Sequence, residues 1–548
     1  LGPQQPIIFA KGPLNTIFPV ITKTCALFKS PLTGELGESY AGLRMSMAMS
    51  MAGIDAIVIK GSSRSPIYIH IDDEEVKLKN AAPLWGLNID ETTRLLHDAP
   101  GRRGLRTILA IGTAGERGVA YSCVTVDTYR HFGRLGLGCV MGSKKIKAMV
   151  IEGSNSQPIK DNKAYLEIYR EIYQKVTATD LMEKYHGLGT SINIKPLNDM
   201  GALPSKNFSE NHFQFSDEIC GEALAEHELI KKVACSGCPI GCIHIALLRK
   251  QYNDPFEYEA STIAYDHELI YSLGTMLGVS SRQGLLRLLE RVELLGFDAI
   301  TVGVLLAWIT EAYQKGLVKE EELLAVPSYG NVEVYLRMME ELIKQPNEFY
   351  RAASKGTYYV AKKYMGLDFA AVLGKNEVAG YHTGYGNILG HAVGARHSHL
   401  DNAGYAVDQE QEPNDEALVN KLIKEEIERN LLNSLTICLF ARKIYDRDTI
   451  IKALKAIGID TSNELLDAIA KTTFLEKLRL KEGMGFSYNE LHFPKRFFET
   501  PSRERKLSKE KVDALLKLYL ERIDELKLDA DAAAKELFAY CNQEETFV

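Results

Sequence analysis

Across the first ~150 residues the apolar positions fall in short runs closed by glycine or proline, which is the spacing of strands. Ala56-Ile57-Val58-Ile59 and Ile67-Tyr68-Ile69-His70-Ile71 are two such runs, and Glu75-Val76-Lys77-Leu78-Lys79 alternates polar and apolar as a half-exposed strand does. Residues 108–111 and 148–151 supply two more, with Gly61, Gly101, Gly112 and Gly153 as punctuation. A β-rich first domain is predicted over residues 1–158. From about Lys160 the apolar period shifts toward 3.6, as in residues 165–169 and 285–292. Residues 416–428, 448–457, 463–475 and 509–526 carry the same helical pattern with polar breaks between them. Two mainly α-helical domains, 159–369 and 370–548, complete an α+β fold. No internal repeat or low-complexity linker separates the units, so they are expected to pack together.

Composition narrows the function classes. A chain of 548 residues accommodates two to four packed units, and 45% hydrophobic with 25% charged residues is ordinary globular usage. Sixty-five Lys and Arg against 72 Asp and Glu leave a net charge of −7, which gives no support to nucleic acid or an anionic membrane as partner. No apolar run approaches the ~18 residues of a membrane span, and the first residues given show no basic stretch followed by an apolar one and a small-residue cleavage site. The chain reads as soluble and cytoplasmic. It begins Leu1-Gly2-Pro3, so a preceding segment is expected to have been removed.

Nine cysteines, an odd number, argue against a secreted disulfide framework. Three of them stand within eight residues, at Cys235, Cys238 and Cys242 in the form C-x2-C-x3-C, with Cys438 a fourth thiol far along the chain. Such a loop can wrap thiolates around a compact inorganic core, and Gly237 and Gly241 permit the turns. An iron–sulfur cluster is the leading reading. Structural zinc competes, with His244 as an alternative fourth ligand.

The surroundings of these cysteines resemble one family, the aldehyde ferredoxin oxidoreductases. The matching stretches include Lys29-Ser30-Pro31-Leu32-Thr33-Gly34, Ile111-Gly112-Thr113-Ala114-Gly115-Glu116, Gly133-Arg134-Leu135-Gly136-Leu137-Gly138, Tyr258-Glu259, Gly296-Phe297-Asp298 and Cys438-Leu439-Phe440. The resemblance implies a β-rich pterin-binding first domain, a tungsten (or molybdenum) bis-pterin, one [4Fe–4S] cluster, and Mg2+ bridging the pterin phosphates. It implies that Cys235, Cys238, Cys242 and Cys438 hold the cluster.

For the pterins the resemblance points to Lys23, Gly42, Arg134, Gly136, Gly138, Lys144, Glu293, Gly296, Asp298 and Asn433. Several depart from the family pattern. Asn433 stands for an Asp and Thr436 for a Gly, Glu293 for an Asp, and Lys23 for an Arg whose fork geometry is lost. Asp298 also precedes a helical run and reads equally as an N-cap. Glu259 matches the family glutamate beside the metal, where a carboxylate can take a proton as oxygen is delivered to a carbonyl carbon. His399, or else His397, matches the family histidine, with a one-residue shift in Arg396-His397-Ser398-His399.

The implied activity is oxidation of an aldehyde to a carboxylic acid, with electrons leaving through the cluster to a ferredoxin or an iron–sulfur electron-transfer subunit. Lys231, Lys232, Arg249 and Lys250 are the candidate docking charges. A homo-oligomer or a subunit of a complex is expected. One alternative is the catalytic subunit of a tungsten-dependent benzoyl-CoA reductase-type complex, acting on an acyl-CoA. Another, from a different class, is a non-catalytic zinc-binding scaffold subunit.

Overall fold

The computed structural model describes residues 2–544 apart from 74, 102–103, 157–158, 160, 181, 254 and 411–413, so the boundary expected at residue 158 lies outside the described residues. Four strands, β1 (Ile7–Ala10), β2 (Thr24–Lys29), β3 (Leu36–Ala41) and β4 (Ala56–Ile59), form an antiparallel sheet in the order β3-β2-β1-β4. Six more follow: β5 (Ile67–Ile71), β6 (Val76–Asn80), β7 (Leu105–Ala110), β8 (Val124–Val126), β9 (Arg130–Phe132) and β10 (Ile146–Gly153). Their order is β6-β5-β10-β7-β8-β9, with β5 and β10 parallel and every other pair antiparallel.

Burial explains this order. All eight residues of β10 are buried, as its nearly unbroken apolar run requires of a central strand, whereas β6 is exposed and carries Lys77 and Lys79 at the sheet margin. The two sheets share a core that includes Phe9, Phe28, Phe132, Leu137 and Met141, and Cys235 belongs to it.

Beyond Asn162 the chain is mainly helical. The helix Ala299–Gln314 is buried over all its residues from Ala299 to Ala312, which is why Ala-Ile-Thr-Val-Gly-Val-Leu-Leu-Ala-Trp shows no polar face. The helices Asp415–Ser434, Asn463–Gly483 and Lys509–Glu544 pack on one another at the C-terminal end. Among the described residues no helix is long and apolar enough to cross a membrane.

One element departs from the expected helical character of this region. β11 (Leu229–Val233), β12 (Ile243–Asn253) and β13 (Glu257–Tyr265) form an antiparallel three-stranded sheet. The outer half of β13 is solvent-exposed and only Ile263, Ala264 and Tyr265 are buried, so the usual alternation never marks it. The cysteine loop is the connection between β11 and β12.

Candidate functional site

The cysteine loop turns twice through left-handed backbone, at Gly237 (φ 76°) and Gly241 (φ 63°), where a side chain would be strained. Cys438 arrives from the end of the helix Asp415–Ser434, and Val20 joins the two pieces. The Val20 N–H donates to the Gly237 carbonyl at 3.3 Å, and the Val20 carbonyl accepts from the Cys438 N–H at 3.3 Å.

Burial, with the thiols of Cys438, Cys235 and Cys242 beside it, pushes Cys238 up to about 12, and burial pushes Cys242 up as well. Buried thiols of that kind become thiolates only against a strong cationic partner, which is the behaviour of metal ligands. Arg130 donates to the Cys242 sulfur at 3.8 Å. A Cβ on Gly42 would lie 2.6 Å from the Cys235 sulfur and 3.5 Å from Lys23 Nζ, which puts both residues at the thiol cluster. His244 turns both ring nitrogens to the backbone carbonyls of Cys242, His186 and Gly187, at 3.0 to 3.2 Å. Among the described residues, no three His, Cys, Asp or Glu side chains sit tightly enough to share one ion.

Next to these thiols β13 ends in Asp266, which accepts from the Leu269 N–H at 3.3 Å and caps a short helix holding His267 and Glu268. Glu268 Oε1 lies 3.2 Å from His399 Nε2 and accepts from the Tyr381 hydroxyl at 3.2 Å. Burial and the Glu268 charge push Asp266 up to about 6, with Arg130 opposing. Glu268 goes the other way. Burial would raise it, but the His399 hydrogen bond and the charges of His267 and His399 hold it below the usual carboxylate range. Tyr381 stacks on Tyr405 at 4.2 Å and on His267 at 4.7 Å, so the imidazoles and the carboxylate are wedged among rings.

Glu259 is not part of this group. It sits on the exposed half of β13, 61% exposed, with Lys250 Nζ 3.4 Å from its carboxylate. Six residue steps along the strand take it to Tyr265, about 20 Å at the usual rise. The sequence match to a tyrosine–glutamate pair landed on the hairpin, whereas the buried carboxylate facing His399 is Glu268.

A second buried group surrounds Arg134. Its Nε donates to Asp298 at 3.1 Å, and its Nη2 to Asn376 Oδ1 at 2.6 Å and to the Glu377 carbonyl at 2.9 Å. Asp298 also caps the helix Ala299–Gln314 through the Ile300 N–H and accepts from Thr301 Oγ1 at 2.6 Å, so the N-cap expected of it is present in the same side chain that meets Arg134. Gly296 (φ 79°) closes the helix Arg282–Leu295, its carbonyl accepting from the Cys123 N–H at 2.9 Å. The Asp298 N–H donates to the Tyr121 carbonyl at 2.9 Å. This turn therefore clips onto the first sheet region.

Around Arg134 several buried polar atoms have no hydrogen-bond partner among the described residues: Arg134 Nη1, Tyr121 OH, Tyr271 OH, His391 Nε2 and His399 Nδ1. Tyr271 and His391 are close enough to Arg134 to feel its charge. Orphaned donors gathered about a buried guanidinium suit an anionic, hydrogen-bonding group.

Other sequence-predicted residues are engaged elsewhere. Lys144 Nζ donates to the carbonyls of Pro3 and Gly61 at 2.7 and 2.9 Å, a structural tie between backbone segments. A Cβ on Gly136 or Gly138 would lie 2.0 or 2.4 Å from the carbonyls of Ala120 or Cys123, so helix-to-loop packing already demands both glycines. Glu293 pairs with His131 at 2.7 Å. Asn433 is buried in the last turn of its helix, where its carbonyl accepts from the Thr436 N–H at 3.0 Å. His397 faces away from Glu268, its Nε2 3.2 Å from Glu35. Of the proposed docking charges, Lys250 is bound to Glu290 at 2.7 Å, while Lys231 and Arg249 lie over the rings of Tyr129 and Tyr258.

Comparison with known proteins gives the family. Residues 1–153 match the profile of the aldehyde ferredoxin oxidoreductase N-terminal domain, and residues 167–524 match domains 2 and 3 of the same family. The chain is 30% identical over 524 residues to a tungsten-containing aldehyde ferredoxin oxidoreductase of Pyrococcus furiosus, covering 92% of this chain and 84% of the relative. It is 26% identical over 573 residues to the WOR-like subunit of an aliphatic sulfonate oxidoreductase of the same organism, covering 98% and 88%. Among solved structures, the active site complex BamBC of benzoyl coenzyme A reductase with 1,5 dienoyl-CoA has a chain of the same fold. The TM-score is 0.78 and the identity 18%, over 98% of this chain and 90% of that one.

Proposed function

Because this chain belongs to the aldehyde ferredoxin oxidoreductase family, we propose that it is a tungsten-pterin enzyme that oxidises an aldehyde to a carboxylic acid and passes the electrons to a ferredoxin or an iron–sulfur subunit. The observation that carries this reading is the meeting of three buried groups: four thiols, the Glu268–His399 pair, and the orphaned donors around Arg134. Cys235, Cys238, Cys242 and Cys438 would hold a [4Fe–4S] cluster, with Lys23 and Gly42 against it. Arg134, Tyr271 and His391 offer the unused donors that a bis-pterin would take up. When bound, the tungsten bis-pterin supplies the two-electron redox change and the cluster the single-electron exit.

The protein's own part is proton handling. His399 Nε2 faces the Glu268 carboxylate, so in the neutral ring the proton sits on that nitrogen and the lone pair on Nδ1, which has no partner among the described residues. That nitrogen can accept a proton from water or an aldehyde hydrate as the new C–O bond forms. Tyr381 keeps the carboxylate oriented through its hydroxyl.

A second reading, the catalytic subunit of a benzoyl-CoA reductase-type complex, runs the same groups in reverse, with electrons inward and His399 as proton donor. The shared fold with a chain solved with 1,5 dienoyl-CoA supports keeping it. Elemental analysis of anaerobically purified protein with a pterin assay, followed by parallel turnover assays on aldehydes and on aromatic acyl-CoA thioesters, tests both. About one tungsten and four iron per chain with aldehyde turnover is the expected result. Zinc without pterin would overturn both readings.

A further inference from the structure

A single turn of π-helix, Met182–His186, lies across both pieces of the thiol site, and wide turns of this kind are frequent at functional sites. His186 Nδ1 donates to the Ile240 carbonyl at 2.8 Å, inside the loop between Cys238 and Cys242. Its neighbour Tyr185 stacks on Phe440, two residues past Cys438, with ring centroids 4.0 Å apart and planes 9° from parallel. His244 holds the same turn from the buried side, through the carbonyls of His186 and Gly187.

Tyr185, Cys438 and Phe440 are half-buried, so the ring pair and the last thiol reach the surface together. Three cations stand round them. Lys184 is exposed, with its Nζ 5.6 Å from the centre of the Tyr185 ring. Arg442 Nη1 donates to the Leu439 carbonyl at 3.0 Å, which keeps its guanidinium against the turn that carries Phe440, and the exposed Lys443 follows it. Burial holds Lys184 below the usual lysine range, and the charges of Arg442 and Lys443 lower it further, as cations gathered on one patch do.

Among the described residues none of the three cations forms an ion pair, and Glu183 is the acid carried by the same turn. Other cations of the cysteine-loop region are engaged: Lys250 with Glu290, Arg44 with Asp127 at 3.5 Å, and Lys231 over the Tyr129 ring. The whole chain carries −7, so an acidic partner is drawn in only by a local patch of the opposite sign. Two half-buried rings within a rim of unpaired cations have the anatomy and the small size of a brief redox encounter.

We propose that this face is the docking surface for an acidic iron–sulfur electron carrier that binds and leaves. Tyr185 and Phe440 form the centre of the contact, and Lys184, Arg442 and Lys443 meet the carrier's carboxylates. The proposal rests on the oxidation reading above and says where its electrons go out. In RCHO + H2O + 2 carrier(ox) → RCOOH + 2 H+ + 2 carrier(red), each encounter takes one electron from the enzyme, and two complete a turnover. Cys438 stands two residues from Phe440 and four from Arg442, so a carrier seated here rests against a proposed cluster ligand. In the reducing direction electrons enter by the same face.

The test compares two acceptors on the loaded enzyme: a recombinant acidic [4Fe–4S] ferredoxin, and benzyl viologen, a small cationic dye that needs no basic docking surface. Lys184→Glu combined with Lys443→Glu should lower kcat/KM for the ferredoxin by about tenfold or more, chiefly through KM, and flatten its dependence on salt. Turnover with the dye should stay as in the parent. Calorimetric titration of the same ferredoxin into the enzyme, without substrate, should show the same loss of affinity. Tyr185→Ala should weaken that binding at every salt concentration, since an uncharged contact is lost. Should iron content fall in the double reversal, Lys184→Met with Lys443→Met removes the charges without reversing them and carries the same expectation.

Ferredoxin kinetics and affinity equal to the parent's in these variants would overturn the proposal. So would a loss that follows Lys231→Glu with Lys232→Glu instead, which would put the carrier on the β11 side. A parent that oxidises no aldehyde with the dye would sink the proposed reaction, and the calorimetric comparison would then decide the docking surface by itself, with no binding by the parent counting against it.

Discussion

The imidazole of His399 meets the carboxylate of Glu268 at 3.2 Å, buried among the rings of Tyr381 and Tyr405. Because one partner is ionised and the other buried beside it, removing the charge changes the basicity of the imidazole without removing its volume. Glu268→Gln should lower aldehyde turnover by ~10²-fold with tungsten and iron unchanged, the ordinary scale for general-base catalysis, because Glu268 sets which nitrogen of His399 is free to act as the base. Glu259→Gln should leave turnover as it is. Steady-state kinetics on the two variants, side by side, decides between the buried carboxylate and the exposed one.

Cys438→Ser and Cys238→Ser should each release or degrade the cluster, because either change removes one of the four converging thiols. Iron per chain and reduction of an external carrier are the readouts. Full iron content in either variant would dismiss that cysteine as a ligand.

Arg134→Met should be costly, since Asp298 and Glu377 are buried around the guanidinium and would be left without their cation. Breaking such a pair from one side typically costs about 3–5 kcal/mol. The thermal midpoint should fall by several degrees, and tungsten content should fall with it. Arg134→Lys should keep the charge and lose the fork, with an intermediate midpoint.

Asp266 gives stability a pH dependence whose sign follows from its raised value of about 6 against 3.8 for an exposed Asp. Between those two values the folded state binds more protons than the unfolded state, so this residue's contribution falls as pH rises through that window. Asp266→Asn keeps the helix cap and removes the titration. Its thermal midpoint, measured from about pH 4.5 to pH 6.5, should therefore decline less with pH than the parent's.

The strands of the first region and the long helices were legible because their apolar periods are uninterrupted, as in β10 and in the helix Arg282–Leu295. The thiol set was legible for a different reason: C-x2-C-x3-C has few structural explanations other than a metal site. The acid–base pair was not. Tyr258-Glu259 and His267-Glu268 are both an aromatic ring followed by a glutamate, and burial separates them.

A usable signal did exist in the sequence. Glu268 stands immediately before the apolar stretch Leu269-Ile270-Tyr271-Ser272-Leu273, behind a capping Asp266, whereas Glu259 sits among polar neighbours. The glycines misled in the other direction. Gly136 and Gly138 satisfy the demand of backbone passing close to backbone, which composition cannot distinguish from backbone passing close to a phosphate.

Val20, whose amide and carbonyl tie the Cys235 loop to Cys438, also bears on the order in which the molecule is made. A core ligated from both sides closes a loop of about 200 residues, and cross-linking so long a segment restricts the unfolded chain by about 5 kcal/mol in the entropic account. Cys438, the proposed fourth ligand, is translated after most of the chain has left the ribosome. Insertion of a cluster so held would therefore be a late event that locks an already collapsed protein. The unloaded chain should open first at the Cys438 end, where limited proteolysis would find it.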